Sequence, residues 1–540
     1  MKQSIKDVFI RTVNLYPDNV AYSFYINNKL VKVKYKEFYE DVLKLGIYIN
    51  KLKLKNKRIA IIGKNCYQWA MSYIAIICGG NVVVPLDKEL TDFEISNNIK
   101  KADVDCIFYS NDLEEKVLLS LEGTKVKSIA FEESRKSIYL GKILERDISN
   151  RDRTDFIDIK CDPNKLAALL FTSGTTRTHK IVMLSQNNML SDVLMCNNAF
   201  HLNSDDKFFS LLPLHHMYEC TAGFLLPLFL GASVHYVSGF RHIKKELLAT
   251  NPTIILCVPR IIEIFYESIF KEIKNQKKTK LVNIIMKLTN LFGKYKFNIK
   301  KKVFSTVHES FGNNFRFFIC GGAPMNIEIA KYMTNLGIRV FEGYGITECS
   351  PIVSVNTFEN NRLGSTGKVF DGLDVKIENP DNDGIGEVLV KGPTVMLGYY
   401  RNYKLNKKVF KKDYFNTEDL GYIDSDGYLY IVGRTKNLIL GPNGENIFPE
   451  EIESLLLQSE IIKEVVISGK NFKNNVQLIA NIVVNDDYLR QNSIRKNEVA
   501  DYIQSIVNDV NNKVAFYKRI NSFNIMDGEF EKTSTLKIKR

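Results

Sequence analysis

The sequence LAALLFTSGTTRTHK, residues 166–180, joins an apolar run to a loop of small polar residues. The run LAALLF has the composition of a buried strand. The loop after it offers hydroxyl and backbone N–H groups from Thr172, Ser173, Gly174, Thr175 and Thr176. Lys180 then adds one positive charge, so the stretch is suited to holding phosphate oxygens. The Walker A spacing is absent, and by itself an ordinary polar turn would have the same composition.

Short β-rich runs alternate with helical patterns on both sides of this loop, from about residue 57 to residue 347. The predicted strands are KRIAIIG, DCIFYS, LAALLF, KFFSLLP, SVHYV, PTIILCVP, FRFFICGG and IRVFEGYG. Stretches such as RIIEIFYESIFKEI and NIEIAKYMTNLG have helical spacing. This alternation predicts parallel sheets covered by helices, with ligands at the carboxyl ends of the strands.

The pattern changes after about residue 360. Glycine-punctuated runs such as DVKIENPDNDGIGEVLVKG and GYLYIVGR predict a small antiparallel β subdomain. From Thr435 onward, PEEIESLLLQ, IKEVVISG, VQLIANIVV, a helix near residues 494–514 and INSFNIMD predict a compact α+β unit. We therefore place the main boundary after Arg434, which divides the chain into residues 1–434 and 435–540.

The bulk composition is that of a globular protein with more than one domain. The chain has 540 residues, of which 45% are hydrophobic and 25% charged, and one core rarely extends over that length. The net charge of +13 suits nucleic acid, anionic lipid or polyphosphate and does not choose among them. Nine cysteines without a CxxC pair predict neither a disulfide framework nor a zinc site and favour a cytoplasmic protein. The first residues lack the apolar segment of a secretory signal.

Two long uncharged runs approach the length of a membrane span. They are WAMSYIAIICGGNVVVPL, residues 69–86, and CTAGFLLPLFLGASVHYV, residues 220–237. Glycine and proline interrupt both runs, which is typical of a buried helix followed by a buried strand. We therefore expect no transmembrane span.

The segment from Lys271 to Lys302 is strongly basic. It carries eleven lysines against one acid, Glu272, and interleaves them with the apolar run LVNIIMKLTNLF. Amphipathic basic helices of this kind lie on anionic lipid. The alternative is a solvated insert that packs its apolar stripe on its own domain, and the sequence leaves both interpretations open.

A second polar stretch, FEGYGITECSP, follows another predicted strand. It places the Tyr344 ring between Gly343 and Gly345, and then a hydroxyl at Thr347 and a carboxylate at Glu348. Such a ring can stack on a base and such a hydroxyl can meet a phosphate. The carboxylate suits Mg²⁺, which prefers oxygen ligands.

Two further stretches complete the set. YFNTEDLGYIDSDGYLYIVGR supplies Asp419, whose carboxylate can accept two ribose hydroxyls, and Arg434, a donor for the same sugar. The terminal FEKTSTLKIKR places Lys537 in a hydroxyl-rich tail.

In this order and at these separations, the stretches resemble the adenylate-forming superfamily of acyl-CoA synthetases and acyl-AMP ligases. The likeness covers nearly the whole chain. LPLHHMYE, GGAP, NGENIFPEEIE and FEKTSTLKIKR are most similar to the long-chain fatty acyl-CoA synthetase branch. The resemblance implies an α/β fold with a large N-terminal domain of two parallel-sheet αβ subdomains and a small antiparallel β subdomain. It places the smaller α+β C-terminal domain on a hinge.

The resemblance also implies a role for each matching position. Thr172, Ser173, Gly174, Thr175, Thr176 and Lys180 would form a mobile phosphate loop. The adenine site would consist of Gly322, Ala323, Pro324, Glu342, Gly343, Tyr344 and the adjoining Gly345. Asp419 and Arg434 would grip the ribose, and Lys436 would lie at the hinge between the domains.

The same resemblance assigns the chemistry. Thr347 would touch the α-phosphate and Glu348 would hold Mg²⁺, while Lys537 would reach the acyl carboxylate and the α-phosphate. His216 would lie near the carboxylate and gate an acyl channel, although a pair of pocket-wall histidines at 215 and 216 fits the sequence equally well. We expect no metal at this pair, since adjacent side chains usually point apart.

The implied reaction activates a medium- or long-chain fatty acid with ATP to acyl-AMP and then transfers the acyl group to CoA. Loading of an acyl carrier protein stays open, because the adenylation residues would be the same. A degenerate nucleotide-binding homologue also stays open, since Arg177, His179 and Ile181 depart from the family's phosphate loop and Leu536 replaces a frequent glycine. We expect no nucleic-acid partner, and a location in the cytoplasm or peripherally at the inner face of the membrane.

Overall fold

The computed structural model describes residues 3–172, 180–290, 296–440, 446–472, 475–533 and 538. The chain begins with a helix whose first turn is closed by a capping box between Ser4 and Asp7. The elements up to residue 157 are α1 (Ile5–Leu15), β1 (Val20–Ile26), β2 (Lys29–Lys34), α2 (Tyr35–Lys51), β3 (Arg58–Ile62), α3 (Tyr67–Cys78), β4 (Val82–Leu86), α4 (Asp92–Lys101), β5 (Cys106–Tyr109), α5 (Glu114–Ser120), β6 (Lys127–Ala130), β7 (Ile138–Tyr139), α6 (Leu140–Leu144) and α7 (Asn150–Ile157).

The middle of the chain continues the alternation of strands and helices. Its elements are β8 (Leu166–Thr172), β9 (Lys180–Ser185), α8 (Gln186–Phe200), β10 (Lys207–Ser210), α9 (Leu226–Leu230), β11 (Ser233–Tyr236), α10 (Ile243–Thr250), β12 (Ile254–Cys257), α11 (Pro259–Asn275), α12 (Thr279–Thr289), α13 (Lys296–Val303), α14 (Ser305–Glu309), β13 (Phe317–Gly321), α15 (Ile327–Asn335) and β14 (Val340–Gly345). A π-helical turn, Glu219–Leu225, leads into α9.

The last third is richer in short strands. Its elements are β15 (Ile352–Val355), β16 (Lys368–Val369), β17 (Asp374–Glu378), β18 (Gly386–Lys391), β19 (Gly398–Tyr399), α16 (Tyr403–Val409), β20 (Phe410–Lys411), β21 (Tyr414–Ile423), β22 (Leu429–Arg434), β23 (Ile439–Leu440), β24 (Asn446–Ile447), α17 (Pro449–Leu456), β25 (Ile462–Phe472), β26 (Asn475–Val484), α18 (Asp486–Gln491), α19 (Val499–Asn511) and β27 (Ile520–Ile525).

Two large sheets organise the first 400 residues. One has the order β19-β9-β8-β4-β3-β5-β6-β7 and the other β16-β15-β14-β13-β12-β10-β11-β1-β2. Their central strands are parallel, and antiparallel strands lie at the edges. A third, antiparallel sheet has the order β17-β18-β21-β20, with β22 paired to β21. This is the fold class that the sequence predicts, and the eight strands predicted between residues 57 and 347 are all present.

The C-terminal unit has its own core. Ile452, Leu456, Ile467 and Ile503 are buried in a cluster separate from that of the two large sheets. Strand β25 pairs antiparallel with β26, which pairs parallel with β27. The α+β prediction is therefore confirmed, although α19 begins at Val499, five residues after the predicted start. The domain boundary after Arg434 stays a prediction.

Both uncharged runs fold as buried helix and strand. The first forms α3, which is almost wholly buried, followed by β4, and the second forms the π-helical turn, α9 and β11. Among the residues that the structure describes, no helix combines the length and apolarity of a membrane span.

Candidate active site

The strand ends β13 and β14 form one wall of the site. Gly321 and Gly343 are register partners in these parallel strands, so the loop after β13 lies beside the end of β14. That loop contains Gly322, which has a φ of 91°, and the exposed Ala323 and Pro324. The predicted adenine residues are thus neighbours in space, at the carboxyl end of a parallel sheet.

Strand β14 needs its glycines because other backbone approaches closely. A Cβ atom at Gly345 would lie 2.3 Å from the carbonyl oxygen of Pro351, and one at Gly343 would lie 3.1 Å from that of Ser354. Tyr344 lies between these two glycines and carries the only side chain of the three residues. The spacing Gly-Tyr-Gly therefore presents one aromatic side chain from a tightly packed strand end.

Tyr344 and Arg434 both contact the buried Asp419 beside this wall. The Tyr344 hydroxyl donates to Oδ2 of Asp419 at 2.5 Å, and Nε of Arg434 lies 2.8 Å from Oδ1. Asp419 and Arg434 are register partners on β21 and β22. Burial and the nearby Asp419 carboxylate raise the pKa of Tyr344, and the same carboxylate raises the pKa of Arg434. An ionised carboxylate can accept several hydrogen bonds, which is the capacity that binding of sugar hydroxyls requires.

Glu348 lies in a short 3₁₀ turn, Thr347–Cys349, directly after β14. Its Oε1 accepts a hydrogen bond from the Tyr399 hydroxyl at 2.8 Å, and its carbonyl oxygen accepts from the Met396 amide at 2.8 Å. Burial and the adjacent Glu348 carboxylate raise the pKa of Tyr399. Tyr399 therefore stays a neutral donor that orients the carboxylate.

Tyr399 also contacts Lys180. The Nζ atom of Lys180 lies 5.0 Å from the centre of the Tyr399 ring, in a cation–π contact. Tyr399 belongs to β19, which pairs with β9, where Lys180 is the first residue. Tyr399 was not predicted as a site residue, because the sequence around it contains no motif that indicates a functional role.

Glu418 lies near three lysines. It was also not predicted as a site residue from the sequence. Its Oε2 lies 2.9 Å from Nζ of Lys436 and 3.5 Å from Nζ of Lys180, and its Oε1 lies 3.9 Å from Nζ of Lys408. Burial opposes ionisation, but the Lys436 hydrogen bond and the three charges together lower the pKa of Glu418. The residue has a φ of 60°, a left-handed conformation that costs a non-glycine residue about 1 kcal/mol.

Glu342 ties the adenine wall together. Its Oε1 accepts from the Met325 amide at 3.2 Å, which anchors the end of the loop after β13. Burial raises the pKa of Glu342 to about 7. The carboxyl therefore has a structural contact within the wall.

The two histidines do not point apart, and that premise of the sequence analysis is wrong. The ring centres of His215 and His216 are 4.3 Å apart, and Nε2 of His215 lies 3.5 Å from Oδ2 of Asp87. Next to them, the Tyr218 hydroxyl donates to the carbonyl oxygen of Ile319 at 2.9 Å. Its ring lies 3.7 Å from the position of a Cβ atom at Gly321, so this segment adjoins the adenine wall.

Glu219 is an unexpected buried acid beside the histidines. Its Oε1 accepts from the Ser210 hydroxyl at 2.5 Å, and within the described residues Oε2 has no hydrogen-bond partner. Burial raises the pKa of Glu219 to about 8, so the group is mostly protonated at neutral pH. Its carboxyl fills the space beside Gly223, where a Cβ atom would lie 2.7 Å from it.

Several predicted residues fall outside the described ranges. These are Ser173, Gly174, Thr175 and Thr176 of the phosphate loop, and Lys537. Thr172 and Lys180 are described, and they are register partners at the mouth of an antiparallel hairpin formed by β8 and β9. Strand β9 is not among the strands predicted from the sequence.

The residues present fit a magnesium ion at Glu348. Within the described parts of the chain, no cluster of three or more histidine, cysteine or acidic side chains is arranged to hold a metal. Mg²⁺ in nucleotide sites is usually bound by one or two carboxylates together with substrate phosphates and water. One oriented carboxylate, Glu348, therefore matches the part of that donor set which the protein supplies.

The comparison with known families identifies the class. Residues 9–400 match the AMP-binding enzyme family, and residues 436–540 match the C-terminal domain of AMP-binding enzymes. The chain therefore belongs to the AMP-binding enzymes of the adenylate-forming superfamily. The resemblance inferred from the quoted stretches is confirmed.

Several individual relatives within this class are similar to the chain over most of its length. The long-chain-fatty-acid–CoA ligase of Mycobacterium bovis is 25% identical over 97% of this chain and 92% of its own length. A chloroplastic long-chain-fatty-acid–[acyl-carrier-protein] ligase of Arabidopsis thaliana is 25% identical over 87% of this chain and 75% of its own length. The structure of o-succinylbenzoate CoA synthetase from Bacillus subtilis with its acyl-adenylate is 20% identical, with a TM-score of 0.76 over 100% of this chain and 97% of that one. The last similarity concerns the fold.

Proposed function

We propose that this protein is an ATP-dependent acid–thiol ligase that activates a medium- or long-chain fatty acid as acyl-AMP and transfers it to CoA. The observation that carries the proposal is the convergence of Lys180, Glu348, Asp419, Arg434 and Lys436 at one set of strand ends. These residues come from segments up to 256 positions apart, counted from Lys180 to Lys436. Such a combination of a sugar clamp, an oriented carboxylate and several cations suits a nucleotide polyphosphate.

In the proposed complex, Tyr344 and the loop at residues 322–324 enclose adenine. The Asp419 carboxylate accepts the ribose hydroxyls, and the half-exposed Arg434 donates to the same sugar. Thr347 lies one residue before Glu348 and meets the α-phosphate. The tight packing at Gly345 fixes these groups before any ligand arrives.

In adenylation, a carboxylate oxygen of the acid forms a bond to the α-phosphorus while the bond to the β-phosphate oxygen breaks and pyrophosphate leaves. Two anions must approach each other, so cations stabilise the transition state. Lys180 is placed for the phosphates, and we assign Lys537 to the acyl carboxylate and the α-phosphate from the sequence resemblance. A Mg²⁺ ion held by Glu348 would supply further positive charge when bound.

In the second step, the thiol sulfur of CoA attacks the acyl carbonyl carbon, and the carbon–oxygen bond to AMP breaks. We propose that the unit of residues 435–540 moves against residues 1–434 between the steps, with Lys436 at the hinge. The ion pair from Lys436 to Glu418 spans this proposed boundary. So does the hydrogen bond from Asn326 to the carbonyl oxygen of Leu457, at 3.3 Å.

The relatives support the choice of acid and acceptor. The curated relatives that extend over most of the chain include long-chain fatty acyl ligases that use CoA or an acyl carrier protein, and also a 2-succinylbenzoate–CoA ligase. We propose a fatty acid and CoA, with His216 and Tyr218 at the entrance to the acyl site. A carrier protein as acceptor is the second candidate, supported by the Arabidopsis relative.

We place the enzyme in the cytoplasm, with peripheral contact at the inner face of the membrane through the basic segment 271–302. All nine cysteines are free thiols, which suits a reducing compartment. A fatty acid partitions into lipid, so an enzyme that uses it gains from contact with a bilayer.

A panel of acids tests the proposal. Purified protein is given ATP, Mg²⁺ and saturated acids of increasing length, benzoate or o-succinylbenzoate, with CoA or holo acyl carrier protein, and pyrophosphate and thioester are measured. We expect pyrophosphate release that depends on a fatty acid, and thioester formed faster on CoA. Faster thioester on the carrier protein would replace CoA as the acceptor. Activity restricted to the aryl acids, or none with any acid, would overturn the proposal.

A further inference from the structure

Helix α12 has two apolar faces, of which the protein covers one. Val282, Met286 and Thr289 are buried, and the helix lies between α11 and α13. Leu281, Ile284 and Leu288 point away from the protein and are 54%, 56% and 55% exposed. The helix therefore packs on its own domain and still presents an apolar stripe, and the lipid interpretation of the basic segment stays a prediction.

The exposed side chains form one continuous stripe. They are spaced i, i+3 and i+7, which places them on one side of an α-helix. Successive residues of an α-helix are rotated by about 100°, so the three side chains form a narrow stripe and the residues on either side of it can be identified. Lys280 and Lys287 lie directly along its outer edge and are exposed. A stripe of large aliphatic side chains edged by lysines is typical of helices that lie in a membrane interface.

The segment around the stripe carries little negative charge in its sequence. From residue 271 to 302 Glu272 is the one acid, and Lys277, Lys278, Lys301 and Lys302 are exposed. Lys300 is different, since it is buried and its Nζ contacts Asn290 at 2.6 Å and the carbonyl oxygen of Thr334 at 3.1 Å. Lys300 therefore holds the helices together, whereas Lys277, Lys278, Lys301 and Lys302 are exposed.

We propose that α12 docks the enzyme on an anionic lipid bilayer, with Leu281, Ile284 and Leu288 in the acyl boundary and Lys280 and Lys287 among the headgroups. Charge complementarity favours this occupant, because juxtamembrane lysines are attracted to anionic leaflets. A second copy of the same face would bring two sets of lysines together and is disfavoured. This inference deepens the proposed function and rests on it only for the reason why docking is useful.

The docking helix is connected to the candidate active site through one layer of packing. Helix α11 precedes α12 and packs on α15, with the rings of Tyr266 and Tyr332 5.1 Å apart in an edge-to-face contact. Helix α15 begins at Ile327, three residues after Pro324 of the proposed adenine loop. A bilayer on α12 would thus lie on the side of the molecule that carries this loop's helix.

Co-sedimentation of the full-length protein with vesicles tests the proposal. The vesicles contain phosphatidylcholine alone or with phosphatidylglycerol, and the salt concentration is varied. We expect binding to the anionic vesicles that weakens with salt, since exposed charges are screened. The variant L281S/I284S/L288S should lose about tenfold or more in partitioning, because its insertion surface is gone.

Matched control variants distinguish docking through α12 from non-specific binding to vesicles. L119S/L194S/L248S removes three leucines that are 50%, 46% and 53% exposed elsewhere, and it should bind as the parent does. K280E/K287E should reduce anionic-vesicle binding strongly, whereas K29E/K32E makes the same charge change on β2 and should have little effect. Thermal unfolding of each variant verifies that it folds.

The outcomes are decisive in both directions. Equal binding of the L281S/I284S/L288S variant and the parent would overturn the proposal, as would equal binding to neutral and anionic vesicles. A concentration-dependent dimer that only this variant loses would assign the stripe to a second copy instead. The assay needs no turnover, so vesicle binding without pyrophosphate release would leave docking standing and sink the proposed function.

Discussion

Asp419 and Glu418 are adjacent carboxylates on β21 with opposite kinds of surroundings. Asp419 is buried, in strand register with Arg434, and it accepts the Tyr344 hydroxyl. Glu418 has a left-handed backbone and meets lysines from three other parts of the chain. The first carboxylate is held by regular strand pairing, and the second by long side chains that can move.

The difference separates two tasks within one site. The Asp419 network is packed and needs no ligand to keep its geometry, which suits recognition of a nucleoside. Glu418 neutralises Lys180 and Lys436, the cations that the proposed function gives to the phosphates and the hinge. A polyphosphate carries more negative charge than one carboxylate, so it would compete with Glu418 for these lysines.

The largest effect is expected from Lys537→Ala. Removing one transition-state contact typically costs roughly 10²- to 10³-fold in rate, so acid-dependent pyrophosphate release should fall by that factor. Thioester formation from supplied acyl-AMP should persist, because the second step does not use this lysine. The exposed Lys513→Ala in the same unit should leave both steps unchanged. Near-parental adenylation by Lys537→Ala would contradict the assignment.

The next effect should come from Asp419→Asn. Hydrogen bonds to charged groups contribute about 1.5–3 kcal/mol, so we expect the KM for ATP to rise by roughly tenfold to a hundredfold. The matched control is Asp424→Asn, which breaks another Asp–Arg pair on the same sheet, that with Arg362. If both variants change the KM for ATP equally, Asp419 has no special role in nucleotide binding.

A third carboxyl group, Glu219, differs from both Asp419 and Glu418, because it contacts no cation that the structure describes. Its pKa of about 8 lies above the usual value near 4.5, so its contribution to folding is complete below about pH 4.5 and is lost as pH rises through 8. Between pH 6 and 8 the free energy of unfolding should fall by about 2 kcal/mol through this group. Glu219→Gln should flatten that dependence in urea titrations at several pH values. An unchanged pH profile would show that Glu219 is ionised in the folded protein.

The smallest effect, and one of opposite sign, is expected from Glu418→Gln. Partly exposed ion pairs contribute about 0.2–1 kcal/mol, so freeing the lysines should lower the KM for ATP by a few-fold, most clearly at low salt. Glu387→Gln, which removes a carboxylate paired with Lys411, serves as control. A rise in the KM for ATP would instead assign Glu418 the task of holding the lysines in place for the nucleotide.

Much of the fold was readable from local pattern. The strands from KRIAIIG to IRVFEGYG lie where their β-rich composition predicts them, because buried parallel strands need continuous apolar runs. The strand β9 was missed, since its role depends on pairing with β8 across the hairpin. The N-terminal strands β1 and β2 join a sheet whose other members begin at residue 207, and no local pattern encodes that partner.

The candidate site divides in the same way. Tyr344, Glu348, Asp419 and Arg434 stand in short stretches whose residue types already suggest base, metal and sugar contacts. Tyr399 and Glu418 gave no such signal, because their importance lies in what meets them in space: the Lys180 ammonium group over one and three lysines around the other.

By itself, the sequence determined the class of fold, the family and the groups available for chemistry, since hydrophobic periodicity and short polar motifs are local properties. The tertiary structure alone decided which carboxylate holds the lysines, which histidine faces an acid and which side of α12 remains exposed. Those outcomes depend on contacts that form only in the folded chain, such as that of Lys180 with Glu418, where burial and charge are set by neighbours that the local sequence does not contain.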